Sequence, residues 1–238
     1  MNIDAMTVAQ FSMHQDELRL QSISQNISNM QTPGYKRQIL EATVFDANLS
    51  LDYPAITQSM QTARVLQQGT LQQSQNIHDL ALSGKGFFVV RTEEGIFYTR
   101  HGELQVNEQG ELISSTGELI LGKNGPIQVD DNEFSIDTQG QIYVNGQKFD
   151  QLALVEFSKQ QKLHYRGQGL YESAEAPTPS DGDLRVLAGF IEHSNVQSTD
   201  EMLMMLKTSR HFEALQRVMR TADDLLSQAI KQLGERNV

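Results

Sequence analysis

FFVVRTEEGIFYTRHGELQVNEQGELISSTGELILG, residues 87–122, is the stretch that decides the fold. It opens on an apolar run, Phe87–Val90, and continues through Ile96–Arg100, Leu104–Asn107, Glu111–Ser114 and Leu119–Leu121. Gly95, Gly102, Gly110 and Gly117 stand between these segments. Glycine weakens the interior of a strand and suits a tight turn. Short strands at this spacing, separated by glycine turns, predict an antiparallel barrel or sandwich. Downstream, Asn145-Gly146 between IYV and QKF predicts a type I′ hairpin. Leu152–Phe157 and Gly169–Tyr171 read as further strands, and APTPSDGD (176–183) as a loop leading back toward the C-terminal segment.

Glycine disappears outward from this centre. Ten of the 17 glycines lie between Gly84 and Gly146, whereas residues 1–33 and 190–233 contain none. The ends therefore read as helices. The N-terminal segment repeats apolar residues every seven positions: Met6, Met13, Leu20 and Ile27. A second row, Ala9, Ile23 and Met30, is broken by Asp16. The C-terminal segment does the same with Met205, Phe212, Met219, Leu226 and Leu233, accompanied by Leu215, Ala222 and Ala229. Sustained sevens favour helices wound around one another. An ordinary amphipathic helix packed on its own β domain leaves a similar stripe, and periodicity alone leaves both open. Thr32-Pro33-Gly34 stops the first helix. Ser198-Thr199-Asp200-Glu201 fits a capping box, with Ser198 as N-cap. A helix from there to Leu233 is roughly 50 Å long at 1.5 Å per residue.

The expected fold class is α+β: paired N- and C-terminal helices, coiled-coil-like, plus a central all-β domain of antiparallel strands. The expected divisions are a terminal helix over 1–35, an extended connection over 36–68, the β domain over 69–183, and a second terminal helix over 184–238 that pairs with the first. Within the connection, 41–68 is polar and reads as loop or edge strand, with seven Gln between Gln58 and Gln75.

Charge follows the same division. The chain of 238 residues carries −11, and all of that excess lies in 41–183, while 1–40 and 184–238 are each net neutral. So acidic a chain is a poor partner for nucleic acid or anionic lipid. It has no Cys, which excludes disulfides, thiolate metal sites and a cysteine nucleophile. No apolar run approaches the ~20 residues of a membrane span, and MNIDAMTVAQFSMHQDE lacks the pattern of a secretory leader.

Chemistry-bearing motifs are missing. The six His show none of the spacings of a zinc site, and no G-x-S-x-G elbow occurs. Gly84-Lys85-Gly86 leads into a strand without a following Lys-Ser/Thr, so it reads as a tight turn rather than a phosphate loop. Asp181, Asp183 and Glu192 have calcium-loop spacing, but Arg185 and Val186 occupy positions that need an oxygen ligand and a glycine. No catalytic, cofactor-binding or metal-binding residue is expected, nor a small-molecule substrate.

Asn26-Ile27-Ser28-Asn29-Met30-Gln31-Thr32-Pro33-Gly34-Tyr35 resembles the N-terminal signature of the bacterial flagellar rod and hook family. Gly69-Thr70-Leu71 and Asp79–Phe88, with Gly84, Gly86, Phe87 and Phe88, are similar to the family's central motif, and Tyr98–Gly102 and Leu121-Gly122 continue it. Ser194-Asn195-Val196, Glu201-Met202, Arg210–Glu213 and Thr221–Asp223 match its C-terminal signature. Ser28, His193 and Ser198 depart from it, standing where Ala, Gly and Pro are usual. Three blocks in order span about half of the chain.

The resemblance implies a structural subunit of the basal-body rod, not an enzyme. The two terminal helices would pair and pack with those of neighbouring subunits into a hollow axial tube, with the β domain outside. It also implies export through the flagellar type III apparatus without a cleaved leader, and residence in the periplasm-spanning rod. Distal rod members carry a long insertion after the Pro-Gly-aromatic motif. Only 34 residues separate Tyr35 from Thr70 here, and Arg210-His211-Phe212-Glu213 looks more like the proximal type. A proximal rod subunit is therefore expected, with a distal rod or hook-type subunit as the alternative. A soluble all-β binding module dimerising through a helical stalk, or an enzyme using paired carboxylates on the acidic β face, are more remote. Net-neutral ends suit helices crowded together, since like charges there would repel. The ends are expected to gain order on assembly.

Overall fold

The computed structural model describes residues 5–44, 58–129, 134–157, 163–180 and 184–235. Its architecture is α+β, with a helix at each end and short antiparallel strands between. The chain divides into two compact units: Met1–Ile27, Gln38–Thr62 and Gln197–Val238 form one, and Ser28–Arg37 with Ala63–Val196 the other.

The first unit holds α1, Ala5–Ser28, and α2, Ser198–Glu235. Neither contains proline, and Gly234 in the last turn is their sole glycine. α1 ends before the turn that Asn29, Thr32 and Pro33 build, where the Thr32 N–H donates to the Asn29 carbonyl at 3.1 Å. α2 has 38 residues, about 57 Å of helix. Its first backbone bond runs from Glu201 N to the Gln197 carbonyl at 3.1 Å. Gln197, not Ser198, thus supplies the first carbonyl. The expected 184–238 helix is helical only from there. Arg185–Ala188 and Phe190–Glu192 are strands, pairing with Leu80–Ser83 and Leu71–Gln73. Gly189, φ 75°, turns the chain between them.

In the second unit the 87–122 stretch builds the centre of a sheet. Its order among the described residues is Leu163–Gly167, Leu170–Ser173, Gly95–Thr99, Phe87–Thr92, Leu119–Gly122, Leu112–Ser114, Leu104–Val106. Leu154–Glu156 also pairs with Phe87–Thr92, and Thr178–Pro179 with Leu154–Glu156. Part of the expected 176–183 loop is therefore sheet edge, while 181–183 lie outside the described residues. The Asn145-Gly146 hairpin is present: both residues have positive φ, 52° and 75°, and Gln141–Val144 pairs with Gln147–Gln151 across them. Leu80, Leu82, Phe88, Val90, Phe97, Leu104, Leu112 and Ile120 bury a common core with Ile142, Leu152 and Val186. Each such side chain contributes about 1.5–3 kcal/mol when fully buried. The 41–68 connection is partly strand, since Gln38–Val44 pairs with Gln58–Arg64. Residues 45–57 lie outside the described residues.

Candidate functional site

Polar contacts tie α1 to α2. Asp16, 1% exposed, accepts from Arg19 Nη1 at 3.2 Å and pairs with His211 Nδ1 at 2.5 Å. Nearer the other end of α1, Asn26 Nδ2 donates to buried Glu201 Oε2 at 3.3 Å and to the Gln38 carbonyl at 2.9 Å, while Gln38 N–H donates to Asn26 Oδ1 at 2.8 Å. One amide thus holds the helix pair and the first strand together. Asp16 interrupts the apolar row because it is an interhelical polar contact.

The apolar stripes divide between two roles. Met13 on α1 faces Phe212 and Met219 on α2 across a groove of ≈ 460 Å³. Ile23 is buried, and Met6, Leu20, Ile27 and Leu215 are half-buried, as is Met30, which lies in the other unit. Met205 and Leu226 are exposed, Leu226 at 55%. Leu233 lies on α2. Outside the sevens, Met202, Leu203, Met204, Leu206, Val218, Leu225 and Ile230 are also exposed, Ile230 at 69%. Residues 202–206 are five consecutive apolar positions, so at 100° per residue they cover every side of the helix. A seven-residue template finds one row and misses the others.

The motif residues of the second unit meet at a buried knot of charge. Gly34, φ 68°, passes so close to Arg100 that a Cβ would lie 2.6 Å from its backbone carbon. Its N–H donates to the Glu192 carbonyl at 2.8 Å. This delivers Tyr35 and Lys36 to the interior. Lys36 Nζ pairs with Glu192 Oε1 at 2.5 Å and donates to the Gln67 carbonyl at 2.9 Å. Arg100 Nη1 pairs with Glu192 Oε2 at 2.9 Å, and Arg100 Nη2 donates to the Gly84 carbonyl at 2.6 Å. Gly69 N–H completes the carboxylate's set at 2.9 Å. All three charged side chains are buried. Burial lowers the Lys36 and Arg100 pKa values, with Glu192 opposing it in both.

Around the knot, Asn195 Oδ1 accepts from Arg37 N–H at 2.7 Å, and its Nδ2 donates to the Val65 and Gln67 carbonyls. Ser194 Oγ accepts from Val196 N–H at 3.2 Å. Tyr165 OH and Thr32 Oγ1 both reach Asn29 Oδ1. Arg64 lies over the rings of Tyr35 and Tyr165, and Arg100 over Phe87. Gly86 admits Leu184, whose Cδ2 would stand 2.3 Å from an added Cβ. Phe88 joins the core. Gly69 and Arg100 of the central block and Lys36, next to the N-terminal block, thus converge on the carboxylate of Glu192, two residues before Ser194. Lys36, Arg100, Glu192, Asp16 and His211 were not among the expected site residues. The sequence signals for them were Asp16's break in the apolar row and the places of Arg100 and His211 within the family-like blocks.

The family model for the flagellar hook protein FlgE/F/G D1 domain matches residues 81–144, and that for the C-terminal region of the flagellar basal body rod FlgEFG proteins matches 187–232. The chain is 27% identical to the flagellar basal-body rod protein FlgG of Buchnera aphidicola subsp. Acyrthosiphon pisum over 260 positions, covering 97% of this chain and 100% of that protein. It is 28% identical to the rod protein FlgF of Mesorhizobium japonicum, covering 98% and 99%. FlgG of Bacillus subtilis is 28% identical, with 90% and 93% covered. Two family models and relatives matched over nearly the whole chain together support the flagellar basal-body rod family for this chain. The two family models bracket the site. The first contains Gly84, Phe87 and Arg100, and the second contains Glu192, Ser194–Val196 and most of α2. The N-terminal motif from Asn26 to Tyr35 precedes both, and the knot joins it to them through Lys36.

Proposed function

We propose that this protein is a structural subunit of the bacterial flagellar rod, of the proximal type. Its terminal helices pack with those of further copies and of other rod and hook proteins in the axial assembly. It reaches the basal body through the flagellar type III export apparatus without a cleaved leader and lies in the part of the rod that spans the periplasm. The observation that carries this reading is the apolar surface of α2, where Met202–Leu206, Val218, Leu225, Leu226 and Ile230 are exposed on one helix. Contiguous apolar surface of that kind marks an interaction site, and rod-family membership gives the partners. The proximal assignment is supported by the short Tyr35–Thr70 separation. The alignment with the Buchnera FlgG also runs to 260 positions against this chain's 238 residues, whereas that with the Mesorhizobium FlgF runs to only 239.

Leu226→Asp tests the reading, because Leu226 is already exposed and its replacement leaves the fold of the single chain intact. The variant is expected in the cell at wild-type abundance, absent from isolated basal bodies, and non-motile. Its normal incorporation would refute an axial role for this face. Phe212→Asp should also block incorporation, and in addition weaken the α1–α2 groove.

A further inference from the structure

The β unit carries surfaces of opposite character at the two ends of one strand. Beside the start of Phe87–Thr92 lies a cavity of ≈ 420 Å³ whose walls include Arg64, Lys85, Arg100, Phe87 and Phe157, with no carboxylate among its lining residues. Among the described residues, the buried Arg100 Nε has no hydrogen-bond partner. Lys36 adds a fourth cation nearby, against which stand Glu192 and, acting on Arg100 less strongly, Glu156. Among the described residues the cations here outnumber the carboxylates, in a chain that is acidic as a whole. At the far end of the strand, roughly 17 Å away at 3.3 Å per residue, the turn before Gly95 presents exposed Glu93 and Glu94. Ile96 follows, 53% exposed. Glu118 lines the recess beside them, and the Arg166 that also lines it is paired with Glu172 at 2.6 Å. Arg91 offsets one of these acids.

An acidic tip with one apolar side chain complements a cationic pocket with phenylalanine walls. The two sit at opposite ends of a rigid strand, so one molecule cannot close the contact on itself. A contact between different patches of identical molecules runs head to tail and does not close in pairs. We propose that the Glu93–Ile96 turn of one copy seats in the Arg64–Lys85–Arg100 pocket of the next, joining successive β units independently of the helices. This rests on the rod reading, because a few exposed charge pairs hold little alone and act only at the effective concentration a shared axial assembly supplies.

The chain has no cysteine, so engineered pairs report without background. In Lys85→Cys/Glu94→Cys, oxidation of isolated basal bodies is expected to give covalent multimers of this subunit. Lys85→Cys/Gln109→Cys, with the second thiol on a different turn, should stay monomeric. Incorporation without multimers, or equal multimers from both pairs, overturns the contact and leaves the rod reading standing. Absence of the unmodified protein from basal bodies overturns the rod reading itself. Charge exchange gives a second arm. Lys85→Glu and Glu93→Lys/Glu94→Lys should each reduce motility, and their combination restore it. Failure of the combination to restore it also overturns the contact.

Discussion

Glu192 holds two cations where water does not reach, and its two partners are not equivalent. Glu192→Gln leaves Lys36 and Arg100 buried without their anion, and breaking a buried pair in this way costs about 3–5 kcal/mol. Lys36→Met leaves Glu192 with Arg100 and Gly69, and the Gln67 carbonyl keeps Asn195 as a donor. Its expected cost is about 1 kcal/mol, one ordinary hydrogen bond. Denaturant unfolding of the two variants checks the asymmetry, and equal losses would contradict it. The same lysine sets a pH dependence. Its folded pKa lies below the ordinary 10.5 because burial penalises the charge. Between the folded and unfolded values the unfolded chain binds more protons, so Lys36's contribution to stability rises with pH through that window. Burial raises the Tyr171 pKa and acts in the opposite sense above pH 10, so the measurement is the difference between wild type and Lys36→Met. That difference should shift in favour of wild type as pH approaches 10.5. None of this was legible in the sequence. Lys36 and Glu192 stand 156 positions apart, and a lone charge beside a turn motif reads as surface. The motif residues themselves were legible, because Pro33-Gly34 and Gly84-Lys85-Gly86 announce turns.

Elements were legible where the backbone itself dictates the residue. The Asn145-Gly146 hairpin needs two positive φ angles in succession, and this dipeptide supplies them. Strands half-buried on one face and exposed on the other, such as Leu163–Gly167, went unread because a short polar alternation looks like loop. Arg185–Ala188 and Phe190–Glu192 were absorbed into the helix for lack of a breaker other than Gly189. For the helix pair, the seven-residue pattern indicated the elements but not their polar contacts. Asp16 sits in the α1–α2 seam where it breaks the apolar row of α1, and a polar residue at such a position can fix register at a cost in stability. His211→Leu should weaken the pairing by about 1–3 kcal/mol, since it removes one of the buried carboxylate's partners. Asp16→Leu/His211→Leu should be more stable than His211→Leu alone, because only Asp16 is buried and its carboxylate is then no longer left without that partner. The double variant should also broaden the distance distribution between spin labels on α1 and α2. A double variant less stable than His211→Leu would rule out this role.

At the scale of the whole molecule, two units of the chain make unequal provision for themselves. The β unit encloses its own core of Leu80, Phe88, Val90, Leu112 and Ile120. The helical unit leaves Leu225, Leu226 and Ile230 in solvent, and a long helix draws most of its stability from packing of its apolar face rather than from intrinsic propensity. Opening free energy therefore differs between them, and local opening sets amide exchange. In dilute monomer, amides of Phe87–Thr92 and Leu119–Gly122 are expected to exchange slowest. Those of α2 beyond Met219 should exchange fastest among the helical residues, because the groove partners Phe212 and Met219 end there. In isolated basal bodies the protection of that region should rise by orders of magnitude, since neighbours that bind only the folded helix stabilise it by mass action. The strands, already closed, should change little. Strong protection throughout 220–232 in a proven monomer would mean that the exposed residues of α2 need no neighbour, and the reading of this helix as an assembly surface would fail with it.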